Sequence, residues 1–301
     1  MKIDPNQEIA RIEAFLSSGL GDGSAVIALS GGLDSDVSVR LLRRVCPSEL
    51  IRTFIAVQDN MNLAHLENAR VLAEDIGVKL AEVDMRGFPT EIVTRLKNAA
   101  AGDGFDPEGL LDVARTKCAL RTVLLSCYQD RGCTVIGTSN RSEIETGFFL
   151  PLGDGVWHLG PISHLYKSQV RMLAPHLGVR PEVLEQAPSA GFWEDETDFE
   201  DLSYWLANAG PIRPEATVGD QLDKLAEQIL PSLCQDKIDS ALASLSYGDD
   251  DEKVATKSGF SVDIAGRFRK LVEAARAGKL KPFGQKLSAP VLARDDSREV
   301  I

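Results

Sequence analysis

The six-residue run Ser30-Gly31-Gly32-Leu33-Asp34-Ser35 constrains the fold of this chain more than any other segment. It follows an apolar stretch, Ala25–Leu29, and precedes a segment with helical spacing, Val37–Val45, so the pattern predicts a strand, a tight turn and a helix. Glycine lets the backbone turn sharply, and the free N–H groups at a helix start bind phosphate oxygens. The serine hydroxyls add hydrogen-bond donors, and the Asp34 carboxylate suits a divalent metal ion. A bare diglycine turn would indicate only a capped helix start, whereas the full run predicts a phosphate site.

Apolar and helical segments alternate through the first half of the chain. An amphipathic helix is predicted over residues 6–18, strands over 51–57, 78–83 and 133–137, and helices over 64–76 and 110–131. Gly77 and Gly132 end the last two helices. This order predicts an α/β fold with a Rossmann-like, doubly wound parallel sheet. Ligands of such sheets bind at the carboxyl ends of the strands, where Ser30 and Thr138 would both lie.

Helical patterns replace strand patterns after about residue 165. Helices are predicted over residues 167–177, 181–185, 201–208, 218–229, 237–245 and 264–277. The acidic stretches Glu194–Asp201 and Asp249–Glu252 are predicted to be mobile surface loops, and few periodic cues mark the tail after Pro282. We therefore expect an α/β core over residues 1–164, a helical portion over 165–281 that completes the site, and a tail over 282–301.

The amino-acid composition indicates which kinds of partner and which cellular compartment to expect. A net charge of −12 argues against nucleic acid as the main partner, because phosphate backbones require clustered Lys and Arg. No apolar run approaches the roughly 20 residues that cross a membrane, and the N-terminus has no signal-peptide pattern. The five cysteines never form a C-x-x-C pair and no two of the four histidines lie four residues apart, so no zinc site is predicted. We expect a cytoplasmic protein with no nucleic-acid or membrane partner.

A second group of motifs lies in order between residues 137 and 190. The segments are Gly-Thr-Ser-Asn-Arg-Ser-Glu at 137–143, Gly-Phe-Phe at 147–149, Gly-Asp-Gly at 153–155, Pro-Ile at 161–162, Leu-Tyr-Lys at 165–167 and Pro-Ser-Ala at 188–190. The run at 30–35 resembles the phosphate loop of the ATP-pyrophosphatase superfamily, whose members split ATP to AMP and pyrophosphate. Together, from about residue 24 to 202, the motifs resemble those of the ammonia-dependent NAD synthetases.

This resemblance implies a complete site for ATP and magnesium. Its ATP contacts would be Ser30, Gly31, Gly32, Asp34, Ser35, Thr138, Lys167 and Ser189. Asp34 and Glu143 would hold Mg²⁺, and Asp34 and Lys167 would be catalytic, because the metal and the ammonium neutralise charge on the leaving pyrophosphate. Taken alone, Glu143 fits a solvated helix carboxylate and Lys167 a surface cation, but the order of the motifs favours the functional interpretation.

The residues that would bind the acceptor depart from the family pattern. Arg115 and Lys117 fall where the family has two arginines that face the substrate, although salt bridges on a helix surface explain them nearly as well. Pro151 stands where the family has a lysine that contacts the pyridine dinucleotide, and His158 stands where it has an aspartate. The His-Lys pair that the family has near the C-terminus is missing, and Lys257 is the candidate to replace its lysine.

The loop Glu196–Ser203 also keeps only part of the family pattern Gln-x-Asp-Glu-x-x-Leu-Gly. A buried polar site discriminates strongly against ligands that leave it unpaired. Four departures on the acceptor side, beside an intact ATP side, therefore predict a changed acceptor.

Three further residues are ambiguous in the sequence. Phe148 and Phe149 would form a ligand platform, but adjacent aromatics beside a strand more often belong to a core, and we predict a core position. Cys118 would support a sulfur-transfer reaction, but a cysteine inside a helix is usually a small buried residue.

These patterns favour an adenylating amide ligase of the NAD-synthetase type. The acceptor carboxylate would attack the α-phosphorus of ATP, pyrophosphate would leave, and ammonia or a small amine would displace AMP from the acyl-adenylate. The resemblance also implies a homodimer whose interface forms part of the acceptor site. The alternatives are a true NAD synthetase acting on deamido-NAD, a thiolating or nucleotide-modifying pyrophosphatase, and a non-catalytic ATP-binding protein.

Overall fold

A parallel sheet forms the centre of the first half of the chain. The structure is a computed structural model that describes residues 2–189, 197–212, 219–277, 283–288 and 290. Within these residues the sheet has four strands: β1 (Ala25–Ala28), β2 (Ile51–Val57), β3 (Leu80–Asp84) and β4 (Thr134–Val135). Their order is β3-β2-β1-β4 and all neighbours are parallel. Strands β2 and β3 follow one another on one side of β1, whereas β4 lies on its other side. This switch in strand order predicts a ligand crevice between the carboxyl ends of β1 and β4.

Helices cover both faces of this sheet, which confirms the doubly wound α/β prediction. They are α1 (Pro5–Leu20), α2 (Leu33–Val45), α3 (Leu63–Ile76), α4 (Phe88–Ala99) and α5 (Leu110–Gln129). Alternate strand residues point to opposite faces. Accordingly Ile27 of β1 packs in the core formed with α1, α2 and α3, whereas Val26 packs with Leu125 of α5.

The sheet is extended by segments from two distant parts of the chain. After α6 (Arg141–Thr146), strand β5 (Val156–Gly160) pairs in parallel with β6 (Phe283–Lys286), and a bridge between Ile136 and Leu159 joins β5 to the end of β4. The expectation that strands end before residue 165 is therefore wrong. The hydrogen-bonding partner of β6 is 127 residues away, since Val156 pairs with Phe283, and a local pattern carries little information about such a partner.

The helical portion agrees with the sequence prediction in most of its elements. It comprises α7 (Lys167–Leu173), a 3-10 turn (Ala174–Leu177), α8 (Pro181–Glu185), α9 (Asp198–Asn208), α10 (Asp220–Ile229), α11 (Gln235–Ser246), α12 (Asp251–Ser258) and α13 (Val262–Ala277). Leu206, Leu242, Val254 and Phe268 are fully buried in a core shared by α9, α11, α12 and α13. The boundary at residue 164 stays a prediction.

The two acidic stretches are helix starts where the structure describes them. Asp250 accepts a hydrogen bond from the backbone N–H of Lys253 at 2.9 Å and begins α12, and the Thr197 hydroxyl caps α9 by accepting from Glu200 N–H at 3.3 Å. Residues 194–196 lie outside the described residues. The prediction of mobile loops is wrong for the described residues of both stretches. Carboxylates are favoured in the first turn of a helix, because they accept hydrogen bonds from the free N–H groups and their negative charge is attracted to the positive end of the helix dipole.

A buried pair joins α1 to the segment before α7 and makes stability sensitive to acid. Glu8 Oε1 lies 2.7 Å from His164 Nε2, and both side chains are buried. Burial lowers the pKa of His164, although Glu8 opposes the shift. The pKa of Glu8 is also lowered, because the hydrogen bonds and charges of His164 and Arg11 outweigh the effect of burial.

We therefore expect the free energy of unfolding to fall as the pH drops from 7.5 to 5.5. Below the ordinary pKa of histidine the unfolded chain binds a proton that folded His164 still excludes, so the slope reaches at most about 1.4 kcal/mol per pH unit for this group. Urea unfolding at both pH values measures it. His164→Gln should reduce the slope, and the same change at the exposed His176 should leave it intact; equal slopes in all three proteins would contradict the assignment.

Candidate functional site

The turn between β1 and α2 is held by hydrogen bonds among its own residues. The Ser35 hydroxyl donates to the Gly32 carbonyl at 2.9 Å and accepts from the Ser30 N–H at 3.1 Å. The Ser30 hydroxyl in turn accepts from the Gly32 N–H at 3.2 Å. Gly31 has a φ of +74°, in the left-handed region that favours glycine. The loop is thus shaped before any ligand binds.

Gly31 and Ser35 take positions that differ from the predicted ones. Ser35 is buried at 1% exposure and its hydroxyl is used inside the turn, so it shapes the loop from behind and does not line the cleft. A Cβ on Gly31 would lie 1.9 Å from the carbonyl oxygen of His65. Gly31 therefore lets the loop press against the first turn of α3, where Asn68 donates to its carbonyl at 3.2 Å.

Three charged side chains from three elements meet at the start of α2. Lys167 Nζ forms an ion pair with Asp34 Oδ2 and lies 4.0 Å from Glu143 Oε1. The Asn140 amide donates to Glu143 Oε1 at 2.5 Å and lies 3.5 Å from Asp34 Oδ2. The three residues that the sequence predicted to be metal ligands or catalytic thus do lie together.

Local helix chemistry explains why Glu143 points here. Asn140 is the N-cap of α6, where its side chain accepts from the Glu143 N–H at 3.0 Å, and the Glu143 carboxylate accepts in return from the Asn140 N–H at 3.2 Å. This reciprocal capping box fixes the side chain over the start of its own helix. Lys167 is the first residue of α7, so two helix starts converge on the phosphate loop.

The electrostatics of this cluster favour a cation. Burial and the neighbouring Asp34 charge raise the pKa of Glu143 well above its usual range. Burial alone would lower the pKa of the Lys167 ammonium, but the negative charges of Asp34 and Glu143 outweigh the effect of burial and raise it. Two carboxylates therefore share one ammonium, and Asp34 Oδ1 is buried without a hydrogen-bond partner among the described residues.

A magnesium ion fits these residues. Mg²⁺ prefers oxygen ligands and is usually held by one or two carboxylates together with substrate phosphates and water. Asp34 and Glu143 supply two such carboxylates, and a cation would pair with the buried Asp34 Oδ1, to which no described residue donates a hydrogen bond. Among the described residues no group of three or more His, Cys, Asp or Glu side chains forms a self-sufficient metal cage.

The phosphate loop opens into a cleft of about 1060 Å³. The predicted site residues that line it are Ser30, Gly32, Asp34, Arg115, Thr138, Glu143, Lys167 and Ser189. Arg121 and Arg171 also line it, together with the carboxylate-bearing Asp154, whose pKa is raised by burial. The cleft thus combines a phosphate loop, several cations and a carboxylate pair in one space.

Four aromatic side chains also line the cleft. Phe148, Phe149, Tyr204 and Trp205 line it, and the rings of Phe148 and Trp205 meet edge to face with centroids 5.0 Å apart. The prediction that the two phenylalanines belong to the core is wrong, because both are half-buried at the cleft surface. Tyr204 and Trp205 were not predicted, since adjacent aromatics on an amphipathic helix give no signal that separates a cleft from a core.

Three of the four predicted acceptor residues lie outside this cleft. Lys117 is buried and its Nζ donates to the Asp59 carbonyl at 2.8 Å. His158 is on β5, accepts from the Val135 N–H through Nδ1 at 2.9 Å, and lines a separate cavity between α1, α5 and β5. The Lys257 ammonium forms an ion pair with Asp249 on the surface of the helical portion.

These positions have a common physical reason, and the acceptor roles of the four residues stay predictions. A motif match assigns a residue to a sequence position, but its contacts depend on the direction in which its helix or strand points the side chain. Arg115 alone of the four lines the cleft, and its guanidinium donates to the Ile212 carbonyl at 2.5 Å. It therefore also braces the chain that follows α9.

Cys118 has no sign of a reactive thiolate. Burial and the Asp154 carboxylate raise the pKa of its thiol to about 12, and its Sγ lies 3.4 Å from Asp154 Oδ1. Since the thiolate is the nucleophilic form, the prediction of a small buried residue is confirmed.

The comparisons with known proteins identify the class to which the chain belongs. Residues 8–209 match the family model described as NAD synthase. The chain belongs to the NAD synthase family, and is thus a ligase that forms carbon–nitrogen bonds. The resemblance stated from the sequence motifs is confirmed.

Individual relatives agree with this membership. The chain is 33% identical over 210 residues to the NH(3)-dependent NAD(+) synthetase of Thermoplasma acidophilum, covering 69% of this chain and 83% of the relative. It is 31% identical over 201 residues to that of Methanocaldococcus jannaschii, covering 64% and 74%.

Solved structures support the fold. The NH3-dependent NAD synthetase of Campylobacter jejuni superposes with a TM-score of 0.63 at 19% identity and covers 94% of this chain and all of its own length. The NMN synthetase of Francisella tularensis gives a TM-score of 0.60 at 24% identity and covers 77% of this chain and 94% of its own. In the part of the chain that the structure describes, no helix is both long and apolar enough to span a bilayer.

Proposed function

We propose that this chain uses ATP to convert deamido-NAD and ammonia into NAD, AMP and pyrophosphate. Family membership supports the reaction class. The observation that carries the proposal is the meeting of Lys167 with Asp34 and Glu143 at the phosphate loop, inside a cleft large enough for a nucleotide and an acceptor. The comparisons give no support to a different acceptor, so deamido-NAD is the acceptor of this proposal.

The described residues act by positioning and charge. Backbone N–H groups at the start of α2 orient the phosphates, and the acceptor carboxylate oxygen attacks the α-phosphorus while the bond to pyrophosphate breaks. The Lys167 ammonium stabilises the charge on the leaving pyrophosphate. Ammonia then attacks the acyl carbon, the bond to AMP breaks and nitrogen loses a proton. Neither step requires a protein nucleophile.

Magnesium belongs to the proposal as a bound cation. Asp34 and Glu143 would hold it, and it would supply positive charge to the phosphates. Because both carboxylates already lie near Lys167, the ammonium and the metal would share the neutralisation of the triphosphate.

A homodimer is a further part of the proposal. Val123 of α5 and Leu152 are 54% and 61% exposed, and the Thr122 hydroxyl donates to the Leu152 carbonyl at 2.9 Å, so the two apolar side chains belong to neighbouring segments. Thr122 also lines the second cavity, which contains His158. A second copy over this face would bury both apolar side chains, and sedimentation equilibrium measures the stoichiometry.

A coupled assay tests the proposed reaction. The protein is incubated with ATP, Mg²⁺ and ammonium together with deamido-NAD, nicotinate mononucleotide or a panel of simple carboxylic acids, and both pyrophosphate and amide product are measured. We expect the highest kcat/KM with deamido-NAD. Amidation of another acid at higher kcat/KM would support the changed acceptor predicted from Pro151 and His158. If no acid in the panel gives pyrophosphate release, amide formation by this protein is contradicted.

Glu143→Gln is expected to raise the Mg²⁺ concentration for half-maximal rate about 10- to 100-fold. The substitution keeps one of the two acceptor oxygens that face Asn140 and removes one of the two carboxylate charges. Initial rates over a Mg²⁺ titration measure the effect. Glu145→Gln is the matched control, because it makes the same change on the same helix at a side chain that pairs with Arg141; similar Mg²⁺ dependence of the two variants would contradict the role of Glu143.

A further inference from the structure

One buried carboxylate outside the cleft contacts both helix starts that carry the charged cluster. Asp239 is on α11 and only 1% exposed. Its Oδ1 accepts from the Ser142 hydroxyl at 2.6 Å, and its Oδ2 accepts from the Ser168 N–H at 2.7 Å. The Gln235 amide, one turn earlier on α11, donates to Oδ1 at 2.9 Å. The donors are thus neutral groups from α6, α7 and α11.

The residues that Asp239 contacts are the sequence neighbours of the charged cluster. Ser142 precedes Glu143 on α6, and Ser168 follows Lys167 on α7. The Ser142 oxygen also accepts from the Lys167 N–H at 3.0 Å. A single network therefore runs from α11 through both helix starts and ties their backbones to each other.

Stability alone is a weak reason for a carboxylate at this position. Burial of a charge costs free energy, and burial raises the pKa of Asp239 accordingly. Well-packed apolar residues often replace buried charges without loss of stability. A buried polar network in which both oxygens accept bonds does, however, rigidify its surroundings in one arrangement. The groups fixed here are the supports of Glu143 and Lys167.

We propose that Asp239 is a positioning residue, which holds the first turns of α6 and α7 so that Glu143 and Lys167 face the phosphate loop together. The inference deepens the proposed function, since it assigns a role in the same ATP site. It also gives the helical portion a part in the reaction, because α11 contributes the carboxylate that aligns the charged cluster.

Asp239→Asn tests the proposal. Asparagine removes the charge and replaces one acceptor oxygen with an N–H₂ group, so the bonds to Ser142 and Ser168 no longer both end on a carboxylate. We expect kcat to fall about 10- to 100-fold, with KM for deamido-NAD within about twofold, since acceptor contacts are untouched. The affinity for Mg·ATP, measured by calorimetry, should fall about tenfold.

The matched control is Ser244→Ala on the same helix. Ser244 is also buried, and its hydroxyl donates to Asp249 at 2.6 Å within the helical portion, away from α6 and α7. It should lower the melting temperature without changing kcat or Mg·ATP affinity. If Ser244→Ala lowers kcat as much as Asp239→Asn does, or if Asp239→Asn keeps the wild-type kcat and Mg·ATP affinity, the positioning role is overturned.

Two further outcomes separate this inference from the proposed function. If the wild-type protein binds Mg·ATP but does not amidate deamido-NAD, the proposed reaction fails and Asp239 is judged on Mg·ATP affinity alone. If the wild-type protein does not bind Mg·ATP, both fail. Where Asp239→Asn does not fold, Ser142→Ala removes the same hydrogen bond from the other side, and unchanged kcat and Mg·ATP affinity in that variant overturn the proposal.

Discussion

Lys167→Met is expected to lower the rate of pyrophosphate release about 100- to 1000-fold, the usual effect of removing one preorganised charge at a developing anion. Methionine keeps the length of the side chain but leaves Asp34 and Glu143 without the ammonium that pairs with them in the structure. Steady-state rates with saturating ATP, Mg²⁺, ammonium and deamido-NAD measure the loss. The effect should fall mainly on kcat, because charge builds up on pyrophosphate only in the transition state.

Lys253→Met provides the control for this prediction. Lys253 is 64% exposed on α12 and forms a surface ion pair with Asp250. Its replacement should leave the rate unchanged, because exposed ion pairs contribute little. A Lys167→Met protein that remains folded and releases pyrophosphate at the wild-type rate would remove Lys167 from the catalytic assignment.

Gly31→Ala is expected to abolish ATP-dependent activity and to destabilise the fold by at least about 2 kcal/mol. The φ of +74° strains any residue with a Cβ, and that atom would lie 1.9 Å from the His65 carbonyl oxygen. The loop must then move away from α3, which displaces the N–H groups at the start of α2. A displacement of about 1 Å can cost 10²-fold in rate. Urea unfolding and pyrophosphate release measure the two effects separately.

Gly77→Ala separates backbone strain from the steric contact. Gly77 ends α3 with a φ of +69°, and nothing lies within 4 Å of a Cβ built there. This variant should lose about 1 kcal/mol of stability through strain alone and keep its activity. If the two alanine variants lose equal stability and both stay active, the close approach of Gly31 to His65 does not matter for the site.

The sheet and its helices were predictable because their signals are local. Each predicted strand, such as Ile51–Val57, is an apolar run bounded by turn residues, and glycines mark helix ends such as Gly77. The sixth helix of the helical portion, Asp251–Ser258, was missed because its acidic start was interpreted as a loop. Strand β6 was missed for a different reason, since its partner β5 is distant in sequence.

The charged cluster was predictable and the rest of the cleft was not. Asp34, Glu143 and Lys167 follow motifs whose order constrains their positions, and the structure places them within contact distance. The positions of His158 and Lys257 depend instead on which cavity or surface their elements face. A motif match carries no information on that choice. Asp239 has no motif at all, and only the packing of α11 against two helix starts reveals it.

The pairing of β5 with β6 has a topological consequence for the helical portion. The strands are neighbours in the sheet, yet the helices from α7 to α13 lie between them in the chain. In connectivity, the helical portion is an insertion into the α/β unit and is anchored to it at both ends. Truncation after α13 would therefore remove an edge strand of the α/β unit and untether one end of the helical portion. A circular permutant opened between two of these helices, in contrast, would retain every strand of the sheet.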